Sequence, residues 1–187
     1  MVILHVIIAH LLGDFVFQPN KLIEEKYHSW LGLSLHTLIV GIFFAFVLFP
    51  YWQHSFTWIA TAILMASHFI QDSFKVYINK NFNKKRSLTP FLLDQFLHLL
   101  VIILLGRGLM DLTFAPMPQW VISLYFYLPL TLFVLGLLIA TFVFDICEYE
   151  SQQRTHKNLV HKRDYLRIFS RAIIFSFVFL FVLMHLI

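Results

Sequence analysis

Ser67-His68-Phe69-Ile70-Gln71-Asp72 is the stretch that decides the reading of this chain. It lies inside a long apolar segment, and its His68 and Asp72, four residues apart, share one face of a helix. Ionisable side chains inside a membrane helix are costly and mark function. The same spacing occurs earlier as His10-Leu11-Leu12-Gly13-Asp14 and, reversed, as Asp94-Gln95-Phe96-Leu97-His98. Three such pairs exceed what chance supplies, and imidazole and carboxylate are both metal ligands. The pairs are expected to converge on one intramembrane metal site.

Composition supports the membrane setting. The chain has 187 residues, is 59% hydrophobic and only 13% charged, against roughly 25% charged in a soluble domain. A single cysteine, Cys147, excludes an intrachain disulfide framework and a CxxC metal site. The net charge of +4 suits nucleic acid in principle, but the basic residues sit in short loops between apolar segments. Positive-inside topology accounts for them better, and no nucleic-acid partner is expected. The N-terminus lacks a basic n-region and a small-residue cleavage site, so no cleavable signal is expected.

Apolar periodicity predicts an all-α, polytopic transmembrane bundle of about six helices. The spans fall at 2–17, 30–49, 56–77, 89–108, 120–144 and 168–187. The chain reads as a single domain, 1–187, with site-bearing helices in 1–108 and accessory helices in 109–187. Gln18-Pro19-Asn20 stops the first span, and a loop is expected from there to Trp30. Thr89 and Pro90 give the fourth span a helix start. Pro129 is expected to kink the fifth. The polar stretch 147–171 can form a helix on the membrane surface. Lys and Arg collect in the first, third and fifth loops, which places those loops in the cytoplasm and both termini outside.

That topology puts Asp14, His36, Asp72, Asp94 and His98 at one depth near the cytoplasmic face. His10, Asp14 and His36 shifted by 58 positions fall on His68, Asp72 and Asp94. This hints at a parallel repeat of helices 1–2 and 3–4, each half supplying most of one metal site. The candidate ligands are therefore His10, Asp14, His36, His68, Asp72, Asp94 and His98, with His68, Asp72 and Asp94 the candidate catalytic residues. They suffice for one or two divalent ions, zinc by ligand type and manganese as the alternative. Gln18, Gln71 and Gln95 adjoin the carboxylates as substrate contacts or interhelical glue. Lys75 and Lys21 are candidate contacts for an anionic substrate, although Lys75 also suits snorkelling to the interface.

The opening His10-Leu11-Leu12-Gly13-Asp14-Phe15-Val16-Phe17-Gln18-Pro19, with the later His68/Asp72 pair and Leu93-Asp94-Gln95 followed by His98, resembles a bacterial family of small integral membrane proteins of unknown function. The resemblance covers most of the first hundred residues and implies a membrane location and no established activity; the bacterial inner membrane is the expected location. The paired His-x-x-x-Asp motifs are also similar to those of the zinc-dependent phospholipase C and P1 nuclease group and of inner-membrane metal-dependent hydrolases. Only His10, Asp14, His68 and Asp72 match that pattern; Asp94 and His98 run in reverse, and the soluble enzymes' N-terminal Trp ligand is missing.

What these motifs imply is an intramembrane metal-dependent hydrolase, of phosphodiesterase or phosphatase type, acting on a phosphate ester. Its substrate is expected to be a membrane lipid or lipid-linked phosphate, with a homo-oligomer or a partner subunit compatible with the chain. Two alternatives use the same cluster: a cation or proton transporter or channel, and a non-catalytic membrane subunit or effector.

Overall fold

A computed structural model describes residues 1–81, 88–152 and 163–186. The described residues are helical and include no strand. We number the helices α1 (Val2–Val16), α2 (Asn20–His28), α3 (Trp30–Val47), α4 (Ser55–Asn81), α5 (Leu88–Leu109), α6 (Gln119–Tyr125), α7 (Leu128–Gln152) and α8 (Tyr165–Leu186).

Among the described residues four helices are long and apolar enough to cross a membrane, namely α3, α5, α7 and α8. This is a membrane protein with fewer such helices than the six expected. α1 is too short. α4 has the length, at 27 residues, but Thr57, Thr61, Ser67, His68, Gln71 and Asp72 lower its apolarity.

Helices α1, α3, α4 and α5 form a closed ring in which each packs against two others. The interior of the ring changes character along its axis. One half is apolar, built from Val6, Val40, Phe44, Ala60, Leu64 and Ile102. The other half buries His10, Asp14, His36, His68, Asp72, Asp94 and His98. α7 packs on the outside of α1 and against α8.

Local departures from expectation have physical reasons. The supposed loop before Trp30 is helix α2, which turns Leu22 and Lys26 inward at helical spacing. Ser29 then caps α3, its Oγ accepting from the Gly32 amide at 2.9 Å. The fifth span is broken: α6 ends at Tyr125, Tyr127 is extended, and Pro129 lies in the first turn of α7. Pro129 therefore starts a helix, where its missing N–H costs nothing, and does not kink one. The irregularity of α7 lies instead at the π-helical turn Ile139–Val143. The polar stretch is not one surface helix: 147–152 continues α7 and 165–171 opens α8, while 153–162 lies outside the described residues.

Two glycines set how closely the helices approach. A Cβ on Gly13 would stand 2.7 Å from the Val40 Cα, and one on Gly32 would stand 2.5 Å from the Glu25 carbonyl carbon. Backbone cannot yield as a side chain can, so these contacts fix α1 on α3 and α2 on α3. Gly13→Ala is expected to cost about 1 to 3 kcal/mol, the usual range for overpacking, read as a lowered thermal midpoint in detergent. Gly41→Ala is the control: its new Cβ meets only the adaptable Met65 side chain, and a midpoint near that of the native protein is expected.

Candidate metal centre

Asp14 reaches the ring interior from an unusual turn. Residues Leu12–Val16 are π-helical, with the Phe17 amide donating to the Leu12 carbonyl five residues back at 2.9 Å. Such single π-turns concentrate at functional sites. The widened turn alters the pairing that the spacing suggested. His10 Nε2 is 4.0 Å from Asp14 Oδ2, whereas His36 Nε2 is 3.1 Å from Asp14 Oδ1.

Four side chains from three helices, Asp14, His36, His68 and Asp72, meet around the His36 Nε2. That atom lies 3.1 Å from Asp14 Oδ1, 3.1 Å from Asp72 Oδ2 and 2.9 Å from His68 Nε2. His68 Nε2 lies 4.0 Å from Asp14 Oδ1 and 3.7 Å from Asp72 Oδ2. These edges bracket the roughly 3.3 Å edge of a tetrahedron drawn with zinc–ligand bonds of about 2.0 to 2.1 Å. A second set, Asp72, Asp94 and His98, shares Asp72 with the first, and within each set one ligand atom per residue lies within 4.8 Å of the others. The buried sets can hold a metal ion. They do not divide by sequence halves as the repeat suggested, because Asp14 and His36 complete their set with His68 and Asp72.

The protons are placed for ligation. With its amide oriented to satisfy both ends, Gln18 donates to the Asp14 carbonyl at 2.8 Å and accepts from Lys26 Nζ at 3.2 Å and from His36 Nδ1 at 3.3 Å. His36 thus donates from Nδ1, which leaves its Nε2, facing two carboxylate oxygens and a second imidazole, able to ligate a metal or, when protonated, to donate to the carboxylates. His98 Nδ1 donates to the Asp94 backbone carbonyl at 2.7 Å, and its buried Nε2 meets no partner among the described residues. Histidine ligands of metals use their second N–H in this way, which fixes the ring and its tautomer.

Around these sets lie the remaining candidates. His10 belongs to neither set; its Nε2 donates to Gln95 Oε1 at 3.1 Å, and its ring stacks 5.0 Å from that of His98. Gln95 is a hub, since its Nε2 also donates to Asp14 Oδ2 at 3.0 Å and to Asp94 Oδ2 at 3.3 Å. Lys75 Nζ donates to Asp94 Oδ2 at 2.7 Å, so it turns into the ring and does not snorkel. Gln71 keeps a buried Oε1 with no partner among the described residues. The Lys21 side chain is 87% exposed and pairs with Glu25, away from the cluster.

Two contributors were not read as site residues from the sequence. Lys26 is buried on α2 and donates to Asp72 Oδ2 at 3.4 Å. Its signal was the Leu22/Lys26 face of a helix, invisible while that segment read as a loop. Arg163 donates to the carbonyls of Phe15, of Val16 at 3.0 Å and of Gln18 at 2.8 Å. It supplies the donors that the end of α1 lacks, and no local motif announces a partner 147 residues away. Asp14, Gln18, Lys26, Lys75, Gln95 and Arg163 line one polar pocket beside the cluster, closed on its far side by Ile146, Tyr149 and Glu150 of α7.

The family described as "Protein of unknown function (DUF3307)" matches residues 2–126, a span that holds every ligand of both sets. The chain belongs to the DUF3307 family. No curated protein and no solved structure matches it.

Lys26 and a metal ion bound at the first set would compensate the same carboxylate, Asp72, which yields a prediction. Lys26→Met is expected to destabilise the metal-free protein by about 3 kcal/mol, the cost of leaving a buried carboxylate without its partner. An excess of divalent ion should recover most of that loss, as read by thermal unfolding in detergent. An equal loss with and without metal would show that the two cations do not share Asp72.

Proposed function

We propose that this DUF3307 protein is a membrane-embedded, metal-dependent hydrolase of a phosphate ester, with zinc as the metal and with Asp72 common to both candidate ligand sets. The observation that carries this is the convergence at His36, whose buried Nε2 lies 2.9 to 3.1 Å from two carboxylate oxygens and a second imidazole nitrogen. A cation among these groups, a bound metal ion or a proton on His36 Nε2, offsets the repulsion between the carboxylates. Two imidazoles with two carboxylates favour zinc over magnesium or calcium.

Charge supports an anionic substrate. Lys26 and Lys75 against Asp14, Asp72 and Asp94 leave one negative charge among these groups. One divalent ion makes the balance positive, and a second makes it more so. A bound divalent ion supplies Lewis acidity and lowers the pKa of a water. Hydrolysis would form a bond from a water oxygen to phosphorus and break the bond from phosphorus to the ester oxygen, the proton lost by the water passing to the departing alkoxide. Lys75 and Lys26 sit at the pocket to neutralise the phosphoryl oxygens. Asp94, held between Lys75 and Gln95, would act with His98 as a ligand in the second set. His68 and Asp72 act as ligands.

In this reading residues 1–108 carry the chemistry, and the accessory region 109–187 closes the pocket through α7 and Arg163. The protein resides in a bacterial inner membrane with its pocket toward the cytoplasm, where the basic loops also lie.

Metal analysis of the purified protein is the direct test. Mass spectrometry should find one to two equivalents of zinc in the native protein, and less than about a tenth of that in His68→Ala and in Asp72→Asn with the elution profile unchanged. Native protein should release phosphate from phosphate esters, with turnover reduced at least about 100-fold in both variants. No metal in native protein reconstituted with excess zinc would remove this reading and leave cation or proton conduction, testable by flux in liposomes.

A further inference from the structure

A second depression abuts the metal centre, and it is apolar. It runs between α4 and α5, measures about 210 Å³, and follows α4 from Ile70 to Ile78, roughly 12 Å at about 1.5 Å per residue. Its rim consists of Ile70, Phe74 and Leu93, which are 65%, 60% and 59% exposed. In a membrane protein that rim faces the lipid chains. Helix pairs in a bilayer usually close on one another by side-chain packing; this pair leaves a furrow.

The inner end of the furrow is polar. Gln71, Lys75 and Asp94 line it, and Asp94 is a member of the second ligand set. Lys75 lines the polar pocket as well, together with Gln95. The hydrogen-bonded trio Lys75–Asp94–Gln95 is therefore a common wall, with furrow on one side and polar pocket on the other. A water-soluble substrate has no use for the furrow. A lipid uses both compartments, its chain along α4 and its head at the wall.

Resting on the hydrolase reading, we propose that the furrow between α4 and α5 seats the acyl chain of a membrane lipid with a phosphate monoester head group. Such a lipid enters sideways from the bilayer and delivers its phosphate past Lys75 to the carboxylate and histidine cluster. The anionic head matches the two lysines and the cation site, and the chain matches the open apolar rim.

Photocrosslinking tests the seat without relying on turnover. The probe is a diacyl lipid bearing a terminal phosphate and a photoactivatable group on one chain, reconstituted with the native protein in neutral-lipid vesicles. Crosslinks should concentrate on α4 and α5 around Phe74, Leu93 and Leu97. The unlabelled phosphate lipid should compete at least tenfold better than its dephosphorylated counterpart. Leu93→Trp, which fills the furrow, should lose most of the crosslinking while keeping its metal content and elution profile; Leu97→Trp serves if that variant misfolds. Metal-loaded Leu93→Trp should also lose at least tenfold in kcat/KM on the phosphate lipid, with turnover of a soluble aryl phosphate within twofold of native. Crosslinks spread evenly over the lipid-facing helices, equal competition by the neutral lipid, or parallel losses on lipid and aryl phosphate would overturn the seat. Specific, phosphate-dependent crosslinks in a protein that hydrolyses neither substrate would uphold the seat and refute the hydrolase.

Discussion

The structure depends on one unfavourable encounter: anionic oxygens and imidazole lone pairs brought together where water is scarce. Asp14, His36, His68 and Asp72 come from α1, α3, α4 and α4 again, and Asp94 and His98 from α5. Each helix brings a group that is costly to bury alone. Together, with Lys26 and Lys75 drawn in beside them, the costs offset one another. The same cluster that strains the bundle gives four helices a reason to meet in one register, because displacing any of them strands a charge.

The rest of the bundle supplies tolerance for that encounter. The apolar half of the ring, from Val6 to Ile102, packs without polar groups and holds the helices whether or not the site is filled. Close backbone approach at Gly13 and Gly32 brings the π-turn and α2 within reach of His36. Gln18 and Gln95 then distribute hydrogen bonds among groups on different helices. Both are amides, able to donate and accept at once, which suits a site that must be satisfied with and without a cation.

Much of this was legible in the sequence because ionisable residues in apolar helices are conspicuous. His68/Asp72 and Asp94/His98 announced the site by type and spacing, and they meet through their depth in adjacent helices. The spacing did not foretell which groups pair. The i,i+4 rule assumes an α-helix, and the π-turn at Leu12–Val16 breaks it, sending Asp14 to His36 and His10 to Gln95. Lys26 stayed hidden because a short amphipathic helix after a proline looks like a loop. The number of apolar spans was overestimated because α1, which is too short, and α4, whose polar residues lower its apolarity, were both counted as crossings. Arg163 lay beyond any local rule, since its three acceptors are backbone carbonyls and every residue has one.

Arg163 also imposes an order on assembly. The carbonyls at the end of α1 have no further helical turn to donate to them, and a bilayer offers no substitute. Their donor arrives on a segment made long after α1, and it lies beyond the 2–126 span matched by the family. The turn that carries Asp14 is thus finished only when that later segment docks, and the candidate centre is tied through the backbone to a part of the protein that contributes none of its ligands.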